Sequence, residues 1–146
     1  MAQGLRIRPL TELDVEPVTR IDERVTGKYR PDVWETRVVY YIRRDADSSQ
    51  VAELDGTVVG FMLGEVRGGE FGLDEPTGWV EFFGVDPAAR GRDIGRGLLE
   101  ALLSHFRSRG AHLARTIVAE RDTEIAGFIE RLGFERAPLR AYEKRL

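Results

Sequence analysis

The chain has 146 residues, of which 42% are hydrophobic and 32% charged, and its formal net charge is −3. This length predicts one domain over residues 1–146, and the acidic balance argues against a nucleic-acid or membrane partner. The absence of cysteine excludes disulfides and a thiol nucleophile, and the two histidines lack a metal-ligand spacing, so no metal site is predicted. Without a long apolar run or a signal sequence, we expect a cytoplasmic protein.

The first half of the chain predicts a strand, two helices and three further strands. Leu5–Arg8 alternates in polarity and ends at Pro9, and Asp55-Gly56 is a two-residue turn typical of hairpins. Thr11 is placed to cap a first helix, and apolar residues recur at helical spacing after Pro31. In chain order the predicted elements are a strand over 5–8, helices over 11–22 and 31–45, and strands over 51–54, 57–66 and 79–85.

The second half predicts two more helices and three more strands. An apolar stripe that begins at Ile94 predicts a helix, and Gly110 is a residue typical of a helix end. Asp122 is placed to cap the next helix, which ends near Gly133. The predicted elements are helices over 94–110 and 122–133 and strands over 112–119, 134–137 and 139–146. The complete order is β-α-α-β-β-β-α-β-α-β-β.

The turn between the strand over 79–85 and the helix after it has the composition of an anion site. The first N–H groups of a helix lack intrahelical partners and lie at the positive end of its dipole. Glycine lets the backbone approach a ligand closely, and arginine pairs with phosphate oxygens. The turn contains the arginines Arg90, Arg92 and Arg96 and the glycines Gly91, Gly95 and Gly97. This arrangement predicts a phosphorylated cofactor.

The spacing of glycines and charged residues in this turn distinguishes it from two known phosphate-binding motifs. It lacks the Gly-Lys-Ser/Thr of nucleoside triphosphatases and the Gly-x-Gly-x-x-Gly of dinucleotide folds. It resembles the acetyl-coenzyme A loop of the GNAT (Gcn5-related N-acetyltransferase) superfamily, Gln/Arg-x-x-Gly-x-Gly/Ala after a strand ending in Val-x-Pro. Arg90 fills the first position, Gly95 fills the last, and Val85-Asp86-Pro87 precedes them. Asp93 departs from the pattern, because the family has glycine there.

A second motif supports the same resemblance near the C-terminal end. Residues 122–134 are similar to the family's Asn-x-x-Ala-x-x-Phe-Tyr-x-x-x-Gly-Phe, with Asp122 in place of the asparagine and Phe128 at the first aromatic position. Ile129 stands where the family often has the tyrosine that protonates the departing thiolate. The resemblance implies the GNAT fold: a mixed central sheet of about seven strands with four helices and splayed strands at the cofactor site.

The resemblance also implies acetyl-coenzyme A as co-substrate and assigns binding roles to particular positions. The backbone of Phe83, Gly84 and Val85 is expected to bind the pantetheine arm, and Gly84 suits a bulge or splay there. The remaining expected cofactor-binding residues are Arg90, Gly91, Arg92, Asp93, Ile94, Gly95, Arg96, Gly97, Asp122 and Phe128.

The general base is predicted from strand position. Glu81 is a carboxylate in an otherwise apolar strand, and by the period-two rule it shares a face with Phe83. A salt bridge or a solvent-facing edge position explains Glu81 equally well, and Glu120 is the second candidate base. Tyr142 is the candidate acid, and packing on a closing hairpin is an equal alternative.

The resemblance implies an N-acetyltransferase of α/β (α+β) fold that moves an acetyl group to a primary amine by direct attack in a ternary complex. The acceptor is a small-molecule or peptide amine that the sequence does not identify, and a homodimer stays open. The alternative is a catalytically silent acyl-coenzyme A-binding module that acts as a sensor or partner, which Asp93 and Ile129 favour.

Overall fold

The computed structural model describes residues 4–146, and these residues form five strands and four α-helices. The strands are β1 (Leu5–Pro9), β2 (Gln50–Leu54), β3 (Thr57–Arg67), β4 (Thr77–Val85) and β5 (Leu113–Arg115). The helices are α1 (Val15–Thr26), α2 (Pro31–Asp45), α3 (Ile94–Ser108) and α4 (Thr123–Arg131). The predicted order is therefore confirmed from β1 to α4.

The strands form one sheet in the order β1-β2-β3-β4-β5, in which only β5 runs parallel to its neighbour. The β2–β3 hairpin turns at Asp55 and Gly56, whose φ angles of 52° and 85° suit the tight turn that its sequence predicts. Such a turn fixes the register of the two strands, and β3 and β4 then form the longest pairing at the centre of the sheet.

Within the first 116 residues, α3 covers one face of this sheet, and α1 and α2 cover the other. Gly60 and Gly64 of β3 face α3, because a Cβ at either position would meet the side chains of Ile94, Leu98 or Phe106. The alternate β3 residues face the other side, where they join a buried cluster with α1 and α2 (Leu10, Val18, Ile21, Trp34, Val38, Tyr41, Val51, Phe61 and Leu63). The core thus lies on both sides of β3.

The prediction of about seven strands is wrong, because the described chain has five. No strand forms over 134–137 or 139–146, and the predicted strand over 112–119 shortens to Leu113–Arg115. Pro138 has no N–H to donate to a neighbouring strand. Leu139, Tyr142 and Leu146 are exposed, so this segment does not bury the apolar surface that would stabilise a strand.

The chain divides into two compact units, Met1–Thr116 and Ile117–Leu146. The first contains the whole sheet with α1, α2 and α3, and the second contains α4 and the C-terminal segment. Across residues 4–146, none of the helices combines the length and apolar character that crossing a membrane requires.

Candidate active site

The turn before α3 has the backbone geometry of an anion site. Gly91 has φ +84°, and a Cβ there would meet nothing within 4 Å, so the turn is open to a ligand. The first helical bond back to the turn runs from the Gly97 N–H to the Asp93 carbonyl at 3.0 Å. The preceding N–H groups, from Ile94 to Arg96, are those that a helix start leaves for a ligand. Arg92 and Arg96 are exposed beside them.

Asp93 is the residue at which this turn departs from the family pattern. Its backbone conformation explains why glycine suits this position. Its φ of 58° and ψ of 23° lie in the left-handed region, which glycine adopts freely and aspartate tolerates. Its side chain makes no cap hydrogen bond, and the described residues include no ion pair from it to Arg92 or Arg96. The carboxylate is therefore exposed at the helix start and pairs with neither of these arginines.

A β-bulge in β4 determines where Glu81 points. Phe82 pairs with Leu63 and Val80 pairs with Gly64, so Glu81 is an extra residue without a partner on β3. Glu81 and Phe82 consequently both face α2, where each contacts Tyr41. Phe83 pairs with Met62 and lies on the α3 face, so the prediction that Glu81 shares a face with Phe83 is wrong.

The Glu81 carboxylate is held by a phenol and a guanidinium. The Tyr41 hydroxyl donates to Glu81 Oε1 at 2.9 Å, and both Arg67 Nη atoms donate to the two carboxylate oxygens at 3.2 Å. Burial, and next the Glu81 carboxylate, raises the pKa of Tyr41, so the phenol stays protonated and donates. The side chain of Glu81 is 27% exposed, which leaves it accessible to a substrate.

A second carboxylate lies behind this arginine. Glu65 is 2% exposed, and its Oε1 lies 3.6 Å from Arg67 Nη1 and 3.5 Å from Arg44 Nε, without a hydrogen bond to either. Burial alone would lower the pKa of Arg67, but its hydrogen bonds to Glu81 and the charge of Glu65 raise it. Arg67 is thus a permanent cation between one buried and one accessible carboxylate.

The backbone edge of β4 opens next to Glu81. β5 pairs with β4 only from Thr77 to Trp79, so the pairing stops before the bulge. The Asp86 N–H donates to the Val59 carbonyl at 2.7 Å, and strand alternation therefore directs the Val85 N–H away from β3, toward the open side. Gly84 pairs with Phe61 rather than forming the bulge, and a Cβ there would lie 3.0 Å from the Phe61 ring. The splay follows Trp79, and the bulge is at Glu81.

The other predicted site residues belong to the second unit. Asp122 caps α4, because its Oδ1 accepts from the Ile125 N–H at 3.3 Å, and Phe128 is half-buried in that helix. Ile129 is buried, which suits its apolar side chain. Tyr142 is 87% exposed outside any helix or strand, and Glu120 is exposed in a turn. Their roles in binding or catalysis stay predictions.

Three residues of the Glu81 network were not predicted from the sequence: Tyr41, Arg67 and Glu65. Tyr41 is part of the apolar stripe of α2, so its pattern indicates a core residue and conceals its polar contact. Glu65 and Arg67 lie two residues apart at the end of an otherwise apolar strand, so they share one face of the sheet. This pair of opposite charges on one strand face was the feature of the sequence that could have indicated the network.

Comparison with known proteins agrees with this geometry. Residues 15–134 match the Acetyltransferase (GNAT) family. A mycothiol acetyltransferase from Thermobispora bispora is 43% identical over 86 residues, which are 59% of this chain and 29% of that protein. The chain therefore spans less than a third of the length of this curated relative.

Solved structures show the same fold. Aminoglycoside N-acetyltransferase AAC(6')-Iy in complex with CoA superposes with a TM-score of 0.83 at 21% identity, over 100% of this chain and 98% of that one. Aminoglycoside 6'-N-acetyltransferase AAC(6')-Ih from Acinetobacter baumannii also has a TM-score of 0.83, at 16% identity over 98% and 99% of the two chains. The protein thus belongs to the GNAT acetyltransferase family.

Proposed function

We propose that this protein is an N-acetyltransferase that moves the acetyl group of acetyl-coenzyme A to a primary amine by direct attack in a ternary complex. The observation that carries the proposal is the Glu81 carboxylate, which is accessible and held by Tyr41 and Arg67 beside the point where β4 separates from β5. A fixed carboxylate next to an open strand edge is what proton removal from a bound amine requires.

The chain's own groups then have distinct roles in the proposal. The turn from Arg90 to Gly97 binds the diphosphate through backbone N–H groups and arginine side chains. The Val85 N–H donates to the thioester carbonyl oxygen as negative charge develops on it. Glu81 accepts the amine proton, directly or through a water. The new bond joins the amine nitrogen to the acetyl carbon, the carbon–sulfur bond breaks, and coenzyme A leaves as the thiol.

The proton for the departing thiolate needs a separate donor, because Ile129 has none. We propose Tyr142 for this role, and its exposed position leaves the phenol available. We also propose that residues 1–146 act as one domain. For the acceptor we propose a small-molecule amine, since similar structures are aminoglycoside acetyltransferases and the curated relative is a mycothiol acetyltransferase.

The competing candidate is a silent coenzyme A-binding module, which the Asp93 and Ile129 departures favour. Release of free thiol from acetyl-coenzyme A is measured with and without a panel of amines, and mass spectrometry identifies any acetylated product. Amine-dependent thiol release with a matching product supports the enzyme. Tight coenzyme A binding by calorimetry, with no amine-dependent release across diamines, aminoglycosides, amino acids and peptides, supports the silent module instead.

A further inference from the structure

Arg37 is an arginine of α2 that stacks on aromatic rings beside Glu81. Its guanidinium carbon lies 4.1 Å from the centroid of the Phe82 ring and 4.7 Å from that of Trp34. Phe82 follows Glu81 in the bulge, and Tyr41, which donates to Glu81, lies one helical turn after Arg37. Side chains four residues apart share a helix face with Cβ atoms about 5–6 Å apart. Arg37 and Glu81 therefore flank the same stretch of β4.

The guanidinium of Arg37 is the unengaged cation of this region. Within residues 4–146 the Arg37 guanidinium forms no ion pair and no hydrogen bond. Its nitrogens are also not fully buried, so they are accessible to solvent. Nearby arginines are committed: Arg30 pairs with Asp22 and Arg67 pairs with Glu81. Five N–H donors of Arg37 thus remain for an acceptor from outside the chain.

The charges around Arg37 explain why no carboxylate of the chain takes this place. The charge of Asp22 acts on Arg37, but both Asp22 oxygens accept from Arg30 at 2.9–3.1 Å. Burial first, and then the positive charge of Arg30, lowers the pKa of Arg37, while Asp22 and Tyr41 oppose that shift. A half-buried cation held against two aromatic rings is preorganised for an anion.

We propose that Arg37 binds a carboxylate of the acceptor, so that the acceptor is an amine that also carries a carboxylate, such as an amino acid or a short peptide. This inference rests on the proposed function, since it places the amine at Glu81. Arginine binds carboxylate through two parallel N–H···O bonds, and the cation–π contacts with Phe82 and Trp34 hold the guanidinium beside β4. A polycationic acceptor would be repelled by Arg37 and gains nothing from it.

Matched acceptor pairs test the carboxylate directly. We would measure kcat/KM for glycine against glycinamide and for alanylalanine against its C-terminal amide, together with neamine and phosphoethanolamine. The wild-type protein should prefer each carboxylate over its amide by about tenfold or more, which is the size of one charge-assisted contact. Equal rates within the pairs, or a preference for neamine or phosphoethanolamine, would overturn the proposal.

Substitution then assigns the preference to Arg37. Arg37→Gln should lower kcat/KM for the carboxylate acceptors to the level of their amides, while the amides and the KM for acetyl-coenzyme A change little. Arg43→Gln is the matched control, because Arg43 is exposed on the same helix and has no ion pair in the described chain. If Arg37→Gln fails to fold, Arg37→Lys keeps the charge without the fork and should lose most of the preference. A retained preference in the folded variant contradicts the assignment.

Binding separates this inference from the proposed function. Calorimetry in the presence of coenzyme A measures affinity for glycine and alanylalanine without turnover. If these compounds bind the wild type and not Arg37→Gln, but no amine is acetylated, the Arg37 site stands and the N-acetyltransferase proposal fails. If amines are acetylated without regard to a carboxylate, the enzyme stands and the Arg37 site fails. The absence of both binding and acetylation of the carboxylate acceptors rejects the inference.

Discussion

Replacing Glu81 by glutamine tests the proposed base with little change of shape. In the wild type the carboxylate accepts one hydrogen bond from Tyr41 at 2.9 Å and two from Arg67 at 3.2 Å. A glutamine oxygen in the place of Oε1 can still accept from both the Tyr41 hydroxyl and Arg67 Nη1. Its NH₂ group would face the other Arg67 nitrogen, so donor meets donor and one hydrogen bond is lost. The variant also removes the group that accepts a proton from the amine.

The structural cost of this substitution is modest. Removing one partner of a fully buried ion pair costs about 3–5 kcal/mol, and removing an exposed one costs about 0–1 kcal/mol. The side chains of Glu81 and Arg67 are 27% and 24% exposed, and Arg67 keeps Glu65 at 3.6 Å. We therefore expect a loss of about 1–2 kcal/mol, or a fall in Tm of roughly 3–8 °C at this chain length. The fold should persist at assay temperature.

The catalytic cost should be much larger than the structural one. Loss of a general base lowers turnover by about 10²–10⁴-fold. With Glu81→Gln we expect that decrease in kcat, an unchanged affinity for coenzyme A, and loss of the acidic limb of the pH–rate profile. Part of the rate should return at high pH, because the acceptor amine, with a pKa of about 7.7–8.0 for a peptide α-amine or about 10.4 for a lysine-type amine, then loses its proton to solvent.

Glu65→Gln provides the matched control for this experiment. It makes the same chemical change beside the same arginine, but Glu65 is 2% exposed and cannot meet a substrate. It should lower Tm without removing the acidic limb, and kcat should fall by less than about tenfold, well below the general-base range. The reasoning is refuted if Glu81→Gln turns over like the wild type with the same acidic limb; Glu120 then becomes the candidate base.

Three further predictions concern the cofactor turn and the pH dependence of stability. Gly95→Glu should abolish coenzyme A binding in calorimetry through steric intrusion and repulsion, whereas Gly68→Glu, in an open loop, should not. Asp93→Gly should tighten coenzyme A binding, and the gain should be smaller at high salt. The free energy of unfolding should change by no more than about 1 kcal/mol, because glycine adopts a φ of 58° freely but has a more flexible unfolded state. Weaker coenzyme A binding would mean that Asp93 organises the turn. Burial raises the pKa of Asp14, but its hydrogen bonds, chiefly from Arg8, outweigh that and lower it, so its contribution to stability is present above about pH 4 and lost as pH falls further. Urea unfolding of Asp14→Asn should show a deficit of about 3 kcal/mol at pH 7 that shrinks at pH 3, and a deficit independent of pH would contradict this.

The order of elements was predictable because each carries a local signal. The turn at Asp55-Gly56 and the apolar stripes of α2 and α3 each follow from a few neighbouring residues, and the structure confirms all three. The prediction of two C-terminal strands was wrong for the same reason. The segment over 139–146 was assigned as a strand from its local sequence, but a strand needs a partner and apolar burial, and those depend on the rest of the sheet.

The candidate site divides in a similar way between local and long-range information. The turn from Arg90 to Gly97 is contiguous, so its residue types predict its chemistry. The environment of Glu81 joins Tyr41, Arg67 and Glu65 from two other elements, and a single extra residue in β4 decides which face each side chain takes. The period-two rule assumes an unbroken ladder, and it failed where the ladder has a bulge.

That bulge connects the fold to both proposals. Because Glu81 is inserted between Val80 and Phe82, the strand presents a carboxylate and an aromatic ring side by side on the α2 face. Tyr41 holds the carboxylate and Arg37 stacks on the ring, and the two lie one turn apart on the same helix. Without the extra residue, Glu81 and Phe82 would face opposite sides of the sheet and only one of them would meet α2. The strand thus pairs a proton acceptor with a cation supported by a ring, and an acceptor with an amine and a carboxylate matches both.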